Sequence, residues 1–295
     1  MKHLAVTLSI VILIVCFSGC ATYETADIVA TTLPVHEFVS RLCSGTGLTS
    51  VLLITENISC LHDYTLQVQQ MRLIQNAEVI AISGAGLESF LDDALHGADH
   101  VIDAASGLAL LESEHHEHAH THSSDDEHLH EKDPHIWLSI ENAKHMAHNL
   151  CHGLADLYPE YRTIFEANLQ SLVDELDAIQ AYGEEVLQDL SCRKLVTFHD
   201  GFSYLAEGFG LTVLASVEEE SGSEASAKQL IELAELIQTH SIPAIFTEIN
   251  GSVSAADILS AETGVKKYAL DMAISGNSYV EAMYHNINTL LEALQ

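Results

Sequence analysis

Three histidines stand where an imidazole could meet a metal ion. His62 lies in Cys60-Leu61-His62-Asp63-Tyr64, His135 in Asp133-Pro134-His135-Ile136-Trp137-Leu138, and His199 in Thr197-Phe198-His199-Asp200-Gly201. Asp271 adds a carboxylate directly after the short run Lys267 to Leu270. Neutral imidazole is the commonest metal ligand in proteins. Three imidazoles and one carboxylate match the tetrahedral preference of Zn²⁺. A coordination sphere filled by protein leaves no fixed place for a reacting water, which favours binding over catalysis. Mn²⁺ prefers more oxygen ligands and higher coordination, so the set leans to Zn²⁺ and leaves Mn²⁺ open.

A second group of histidines is of another kind. His115, His116, His118, His120, His122, His128 and His130 are interleaved with acids between Glu114 and Glu131. Such a low-complexity tract can hold several Zn²⁺ ions weakly, without fixed geometry. It is expected to contact metal without being required for tight binding. His145, His148 and His152 fall at helical spacing and read as surface residues.

The wider composition narrows the classes. The chain has 295 residues, 19 His, 43 Asp+Glu and 11 Lys+Arg, for a formal net charge of -32. A phosphate backbone demands a basic surface, so nucleic-acid binding is excluded. The same charge argues against an anionic membrane as electrostatic partner. Gly84-Ala85-Gly86 is too short for a dinucleotide loop, and no P-loop, HExxH or GxSxG is present. Glu218, Glu219 and Glu220 read as a solvated charge run.

The elements that must position these residues alternate. Strands are expected at 27–32, 49–54, 78–82 and 100–102, with helices from Pro34, at 67–77 and at 87–95 between them. After the acidic, histidine-rich loop at 112–132 a helix follows at 141–157. The span Pro159 to Leu190 keeps Tyr161, Phe165, Leu169, Leu172, Leu176, Ile179, Val186 and Leu190 on one face, which predicts one long helix of roughly 45 Å. Alternation then resumes, with strands at 194–198, 212–216, 244–247 and 267–270. The matching helices fall at 202–209, 227–240, 253–263 and 279–294. The expected fold is α/β: two lobes with parallel-rich sheets, 27–158 and 191–295, joined by the rigid helix 159–190. Ligands of open α/β sheets bind beyond the carboxyl ends of the strands. All three histidines and Asp271 are expected at such ends, with the metal in the cleft between lobes.

The first residues read as an address. Leu4 to Phe17 is an uncharged apolar run after Lys2, too short for a membrane span and suited to a signal peptide at 1–19. Ser18-Gly19-Cys20 resembles a bacterial lipobox, which implies cleavage before Cys20, lipidation of its thiol and a tether at 20–26. That leaves Cys43, Cys60, Cys151 and Cys192 in an oxidising compartment. Pairing of neighbours would give Cys43–Cys60 and Cys151–Cys192, with free buried thiols as the alternative.

These motifs, with Ser83-Gly84-Ala85-Gly86-Leu87-Glu88, Ile245-Phe246-Thr247-Glu248 and Glu262-Thr263-Gly264, resemble the zinc/manganese solute-binding lipoproteins of metal-uptake ABC transporters. The resemblance spans residues 27–295. It implies His62, His135, His199 and Asp271 as the metal ligands, and the histidine-rich loop marks the zinc branch. In some zinc members water, or an acid beside the first histidine, takes the fourth place; Leu61 precedes His62 in this chain, which favours Asp271. The function so implied is capture of Zn²⁺ outside the membrane and delivery to an ABC permease. The expected protein is a lipid-anchored, non-enzymatic monomer on the cell membrane or in the periplasm. The rival readings are a Mn²⁺ receptor, a zinc hydrolase using Asp200 or Glu248 as base, and an adhesin or zinc store built on the loop.

Overall fold

The computed structural model describes residues 26–56, 61, 64–113, 132–218 and 225–295. The signal segment, Cys20, Cys60, His62 and the seven histidines of the acidic loop lie outside the described residues.

Two four-stranded parallel sheets carry the architecture. The first contains β1 (Ile28–Ala30), β2 (Ser50–Leu52), β3 (Val79–Ile82) and β4 (Val101–Asp103), in the order β2-β1-β3-β4. The second contains β5 (Lys194–His199), β6 (Thr212–Glu218), β7 (Ala244–Glu248) and β8 (Lys266–Leu270), in the matching order β6-β5-β7-β8. In both, the chain steps to one side of the first strand and then returns to the other. The crevice at that reversal, between β1 and β3 and between β5 and β7, is where such sheets offer ligand sites.

Helices follow the strands as the apolar spacing predicts. α1 (Leu33–Leu42) starts on Pro34, whose fixed φ suits a first turn, and buries Val35, Phe38, Val39 and Leu42. α2 spans Val68–Asn76. The helix expected at 87–95 is only a 3₁₀ turn, Ser89–Leu91, running into the single turn α3 (Asp92–Leu95). α4 (Ile140–Leu157) is capped by Ser139. The second half adds α6 (Ser203–Gly208), α7 (Ala227–His240), α8 (Ser254–Thr263) and α9 (Tyr279–Leu294). Along β5 and β7 the side chains alternate between two cores. Leu195, Ala244 and Phe246 join the main cluster, while Val196, Phe198 and Ile245 join a smaller one beneath α7 and α8.

The long helix, α5, spans Arg162–Val186, shorter than the sequence span, because Pro159–Tyr161 forms a separate 3₁₀ turn. Its 25 residues reach about 38 Å. Phe165, Leu172, Leu176, Ile179 and Gly183 form the buried stripe. Gly183 does not break it: a Cβ there would overlap the Phe209 ring, so glycine lets the two surfaces meet.

Cys43, Cys151 and Cys192 are free thiols, the alternative to pairing, so Cys151–Cys192 is not formed; Cys60, the expected partner of Cys43, lies outside the described residues. Cys151 faces the core from α4, whereas Cys192 lies in the turn entering β5 in the other half. Burial pushes the Cys43 thiol up to about 12, so it stays protonated and unreactive. Among the described residues no helix is long and apolar enough to cross a membrane.

Candidate metal centre

His199 ends β5 and Glu248 ends β7, so both stand at the reversal point of the second sheet. Their side chains meet there, with His199 Nδ1 3.0 Å from Glu248 Oε1. Both are nearly closed to solvent, at 4% and 7% exposure. The chain turns sharply after His199. A Cβ on Gly201 would press on the His199 ring and on Met272, so a bare backbone passes beneath the imidazole.

His135 reaches the same place from the first half. The expectation of a strand end fails for this residue. β4 closes at Asp103, and His135 instead heads the 3₁₀ turn Ile136–Leu138 beyond the antiparallel bridge Glu112–Lys132. Asp133 Oδ1 fixes it twice, accepting from the His135 amide at 2.9 Å and lying 2.8 Å from its Nδ1. The turn is anchored across the halves. The Trp137 indole N–H donates to the Met272 carbonyl at 2.7 Å, and the Tyr279 hydroxyl donates to the Trp137 carbonyl at 2.8 Å.

The two histidines therefore carry the same arrangement. Each presents Nδ1 to a buried carboxylate, which selects the tautomer with Nδ1–H and directs the Nε2 lone pair outward. The two Nε2 atoms stand 3.4 Å apart, with the rings edge to face. Two ligands of a tetrahedral ion with Zn–N bonds of about 2.0–2.1 Å stand about 3.3–3.4 Å apart. The pair is spaced as one edge of a zinc tetrahedron.

Asp271 follows β8 and shares with Glu248, Asn250 and Met272 the wall of a small cleft beside the pair. Its backbone is clamped at both ends by Asn286, which accepts from Asp271 N at 2.7 Å and donates to Asp271 O at 2.8 Å. One carboxylate oxygen accepts from the Ala273 amide at 2.8 Å. Ala273 itself adopts φ 54°, a left-handed conformation costly for a residue with a Cβ. Among the described residues no three His, Cys, Asp or Glu side chains converge closely enough to hold an ion. The structure thus joins His135 and His199 and does not bring Asp271 into their first contact. His145 bonds the Ser106 carbonyl at 3.0 Å, and His148 and His152 lie exposed on α4, as expected for surface residues.

Sequence reading missed the roles of Asp133 and Glu248. Both were visible within the motifs, and an acid at a buried strand end was the available signal for Glu248. Glu248, offered by the hydrolase reading as a base, is instead engaged by His199.

Comparison with known proteins follows the same line. Residues 28–293 match the family described as zinc-uptake complex component A, periplasmic. A protein of Treponema pallidum (strain Nichols) named for metal binding is 29% identical over 269 residues, covering 86% of this chain and 83% of that one. The zinc-binding lipoprotein AdcA of Streptococcus pneumoniae is 29% identical over 289 residues, covering 92% of this chain. The chain spans only 57% of that relative's length. A crystal structure of ZnuA superposes with TM-score 0.79 at 26% identity, covering 92% of this chain and 100% of that one.

Proposed function

Because the chain belongs to the family of periplasmic zinc-uptake component A proteins, we propose that it is the zinc receptor of an ABC-type importer. It captures Zn²⁺ outside the membrane and hands it to the permease. Zn²⁺ is the cargo here, not a resident cofactor, and the protein's part is binding and release.

One observation carries the assignment to the cleft. The Nε2 atoms of His135 and His199 are 3.4 Å apart, with a carboxylate behind each ring. Two neutral imidazoles of fixed tautomer offer two lone pairs at the spacing a tetrahedral ion requires. His62 supplies the third imidazole and Asp271 the carboxylate, on the strength of the family's motif. Asp133 and Glu248 lend their negative charge to the bound ion through the rings, which raises ligand basicity without adding oxygen ligands. That arrangement supports Zn²⁺ over Mn²⁺, which favours oxygen. The histidine-rich loop, which lies outside the described residues, gathers metal ahead of capture. Cys20 carries the lipid that holds the protein at the outer side of the membrane.

The test is metal content and competition titration of the protein beside a His62→Ala, His199→Ala double variant. One tight Zn²⁺ per chain, retained against excess Mn²⁺ and lost in the variant, is expected. Tight binding that survives the double substitution would move the function to the loop and sink this reading.

A further inference from the structure

We propose that Tyr204 is a positioning residue for zinc, its phenol acting as a strut that sets His135 at its distance from His199. The inference rests on the reading of that pair as the metal site. Tyr204 sits on α6, five residues beyond His199, so it belongs to the same strand–turn–helix unit as one ligand. Its hydroxyl reaches into the other half and makes two hydrogen bonds there. It accepts from the Leu111 amide at 2.9 Å and donates to the Asp133 carbonyl at 3.1 Å.

Those two groups face each other across the stem that closes the histidine-rich segment. The Asp133 amide donates to the Leu111 carbonyl at 3.0 Å, and Lys132 pairs with Glu112 at 3.2 Å on the next rung. Asp133 is the residue whose side chain grips the His135 amide and its Nδ1. A single residue therefore has its carbonyl fixed by Tyr204 and its carboxylate fixed on His135. The path from ligand to ligand is short: His199, Tyr204, Asp133, His135. Tyr204 is 4% exposed, and burial pushes its hydroxyl up to about 12, so the proton given to Asp133 is held throughout the neutral range. A buried hydroxyl that satisfies one donor and one acceptor on two chain segments fixes their separation, because either group left alone is costly. Phenylalanine would keep the ring packing and remove only this link.

The test uses the protein's sole tryptophan, Trp137, whose ring lies 5.5 Å from that of His135 and which should report metal in the cleft by its fluorescence. Tyr204→Phe is expected to weaken zinc binding about tenfold, the lower end of what loss of outer support costs a metal site. It should also alter the visible absorption of bound Co²⁺, which reports ligand geometry and which a merely structural change would leave alone. Tyr158→Phe, at a buried phenol in the turn before α5, should change neither. Wild-type zinc affinity and an unchanged Co²⁺ spectrum in Tyr204→Phe would overturn the strut. Should that variant fail to fold, hydrogen exchange of the Leu111 amide in the unaltered protein decides: slowing on addition of zinc supports the link, and indifference overturns it. Failure of the site reading itself would show separately, as tight zinc in the His62→Ala, His199→Ala protein.

Discussion

Replacing Glu248 by glutamine isolates the electrical part of the site. The two side chains share a shape, and the amide oxygen can still accept from His199 Nδ1, so the substitution removes charge and little else. Glu248 Oε1 is 3.0 Å from Nδ1. Adding the ring and a Zn–N bond of about 2 Å places the ion about 6–7 Å from the carboxylate. At an effective dielectric of about 20, a unit charge and a divalent ion at that separation attract by about 5 kcal/mol. Roughly half of this is kept by the glutamine, whose neutral amide oxygen still accepts from Nδ1, since a charge-assisted hydrogen bond is about twice as strong as a neutral one. The net loss should be on the order of 2 kcal/mol, or about 30-fold in zinc affinity. The assay is competition against a chromophoric chelator at pH 7.5, followed by Trp137 fluorescence, with thermal unfolding of the metal-free protein as the folding control. Zinc affinity within about twofold of the unaltered protein would refute the reasoning, because it would mean that Glu248 does not feel the charge on the ion.

Zinc affinity should fall steeply as pH drops below about 6.5, where imidazole ligands take up protons; equal affinity at pH 5 and pH 7.5 in the same titration would count against histidine coordination. Gly183→Ala gains about 1 kcal/mol of helix propensity but drives a methyl into the Phe209 ring, costing about 1–3 kcal/mol, so the melting temperature should fall rather than rise. Glu88 is buried, and desolvation pushes its carboxyl up to about 7, against the Thr31 hydroxyl and the Ser83 and Gly84 amides that favour the anion. Because folding raises this group from about 4.5, its contribution is complete below that pH and lost as pH rises through about 7, on the order of 3 kcal/mol. Glu88→Gln should flatten that loss in urea unfolding between pH 4.5 and 7.5, and an unchanged slope would contradict it.

Strand and helix positions were legible because each strand is bounded by turn residues and each helix keeps an apolar stripe. α7 and α9 fall on the residues the spacing predicts. The failures have physical causes. Pro159 can open a helix, but Tyr158 and Tyr161 take non-helical backbone angles, so a 3₁₀ turn stands where a first helical turn was expected. Leu87 to Leu95 contains too few residues with a common face to hold a full helix, and it splits. For the site, type and spacing revealed the histidines. Asp133, two residues before His135, was within reach of the motif, but the pairing of His199 with Glu248 was not, because Glu248 is 49 positions from its partner and the link exists only through adjacent strands. Tyr204 was invisible for the same reason: its partners Leu111 and Asp133 lie 93 and 71 positions away. The Cys151–Cys192 pairing failed because nearness in sequence says nothing about which half of the fold a thiol enters.

The seam between the halves bears on how the ion is taken up. One continuous apolar cluster includes Phe38 and Trp137 from the first half, Phe165 from the long helix, and Leu270, Met272 and Tyr279 from the second. Polar links cross the same seam: the Leu33 amide donates to the Ile274 carbonyl at 3.1 Å, and the Tyr279 amide donates to Glu37 at 2.7 Å. Opening the halves as rigid bodies would expose buried aromatic surface and strip paired backbone groups together, at a cost of several kcal/mol. A cleft built this way does not close over its cargo like a hinge. His135 and His199 already stand at ligand spacing, each held by its own half and joined through buried contacts. Local change costs less, as in the loop after β8, where Asp271 is held beside a strained, left-handed Ala273. Release must then work on such local parts, and a variant that loosens the loop should alter the rate of zinc loss before it alters the fold.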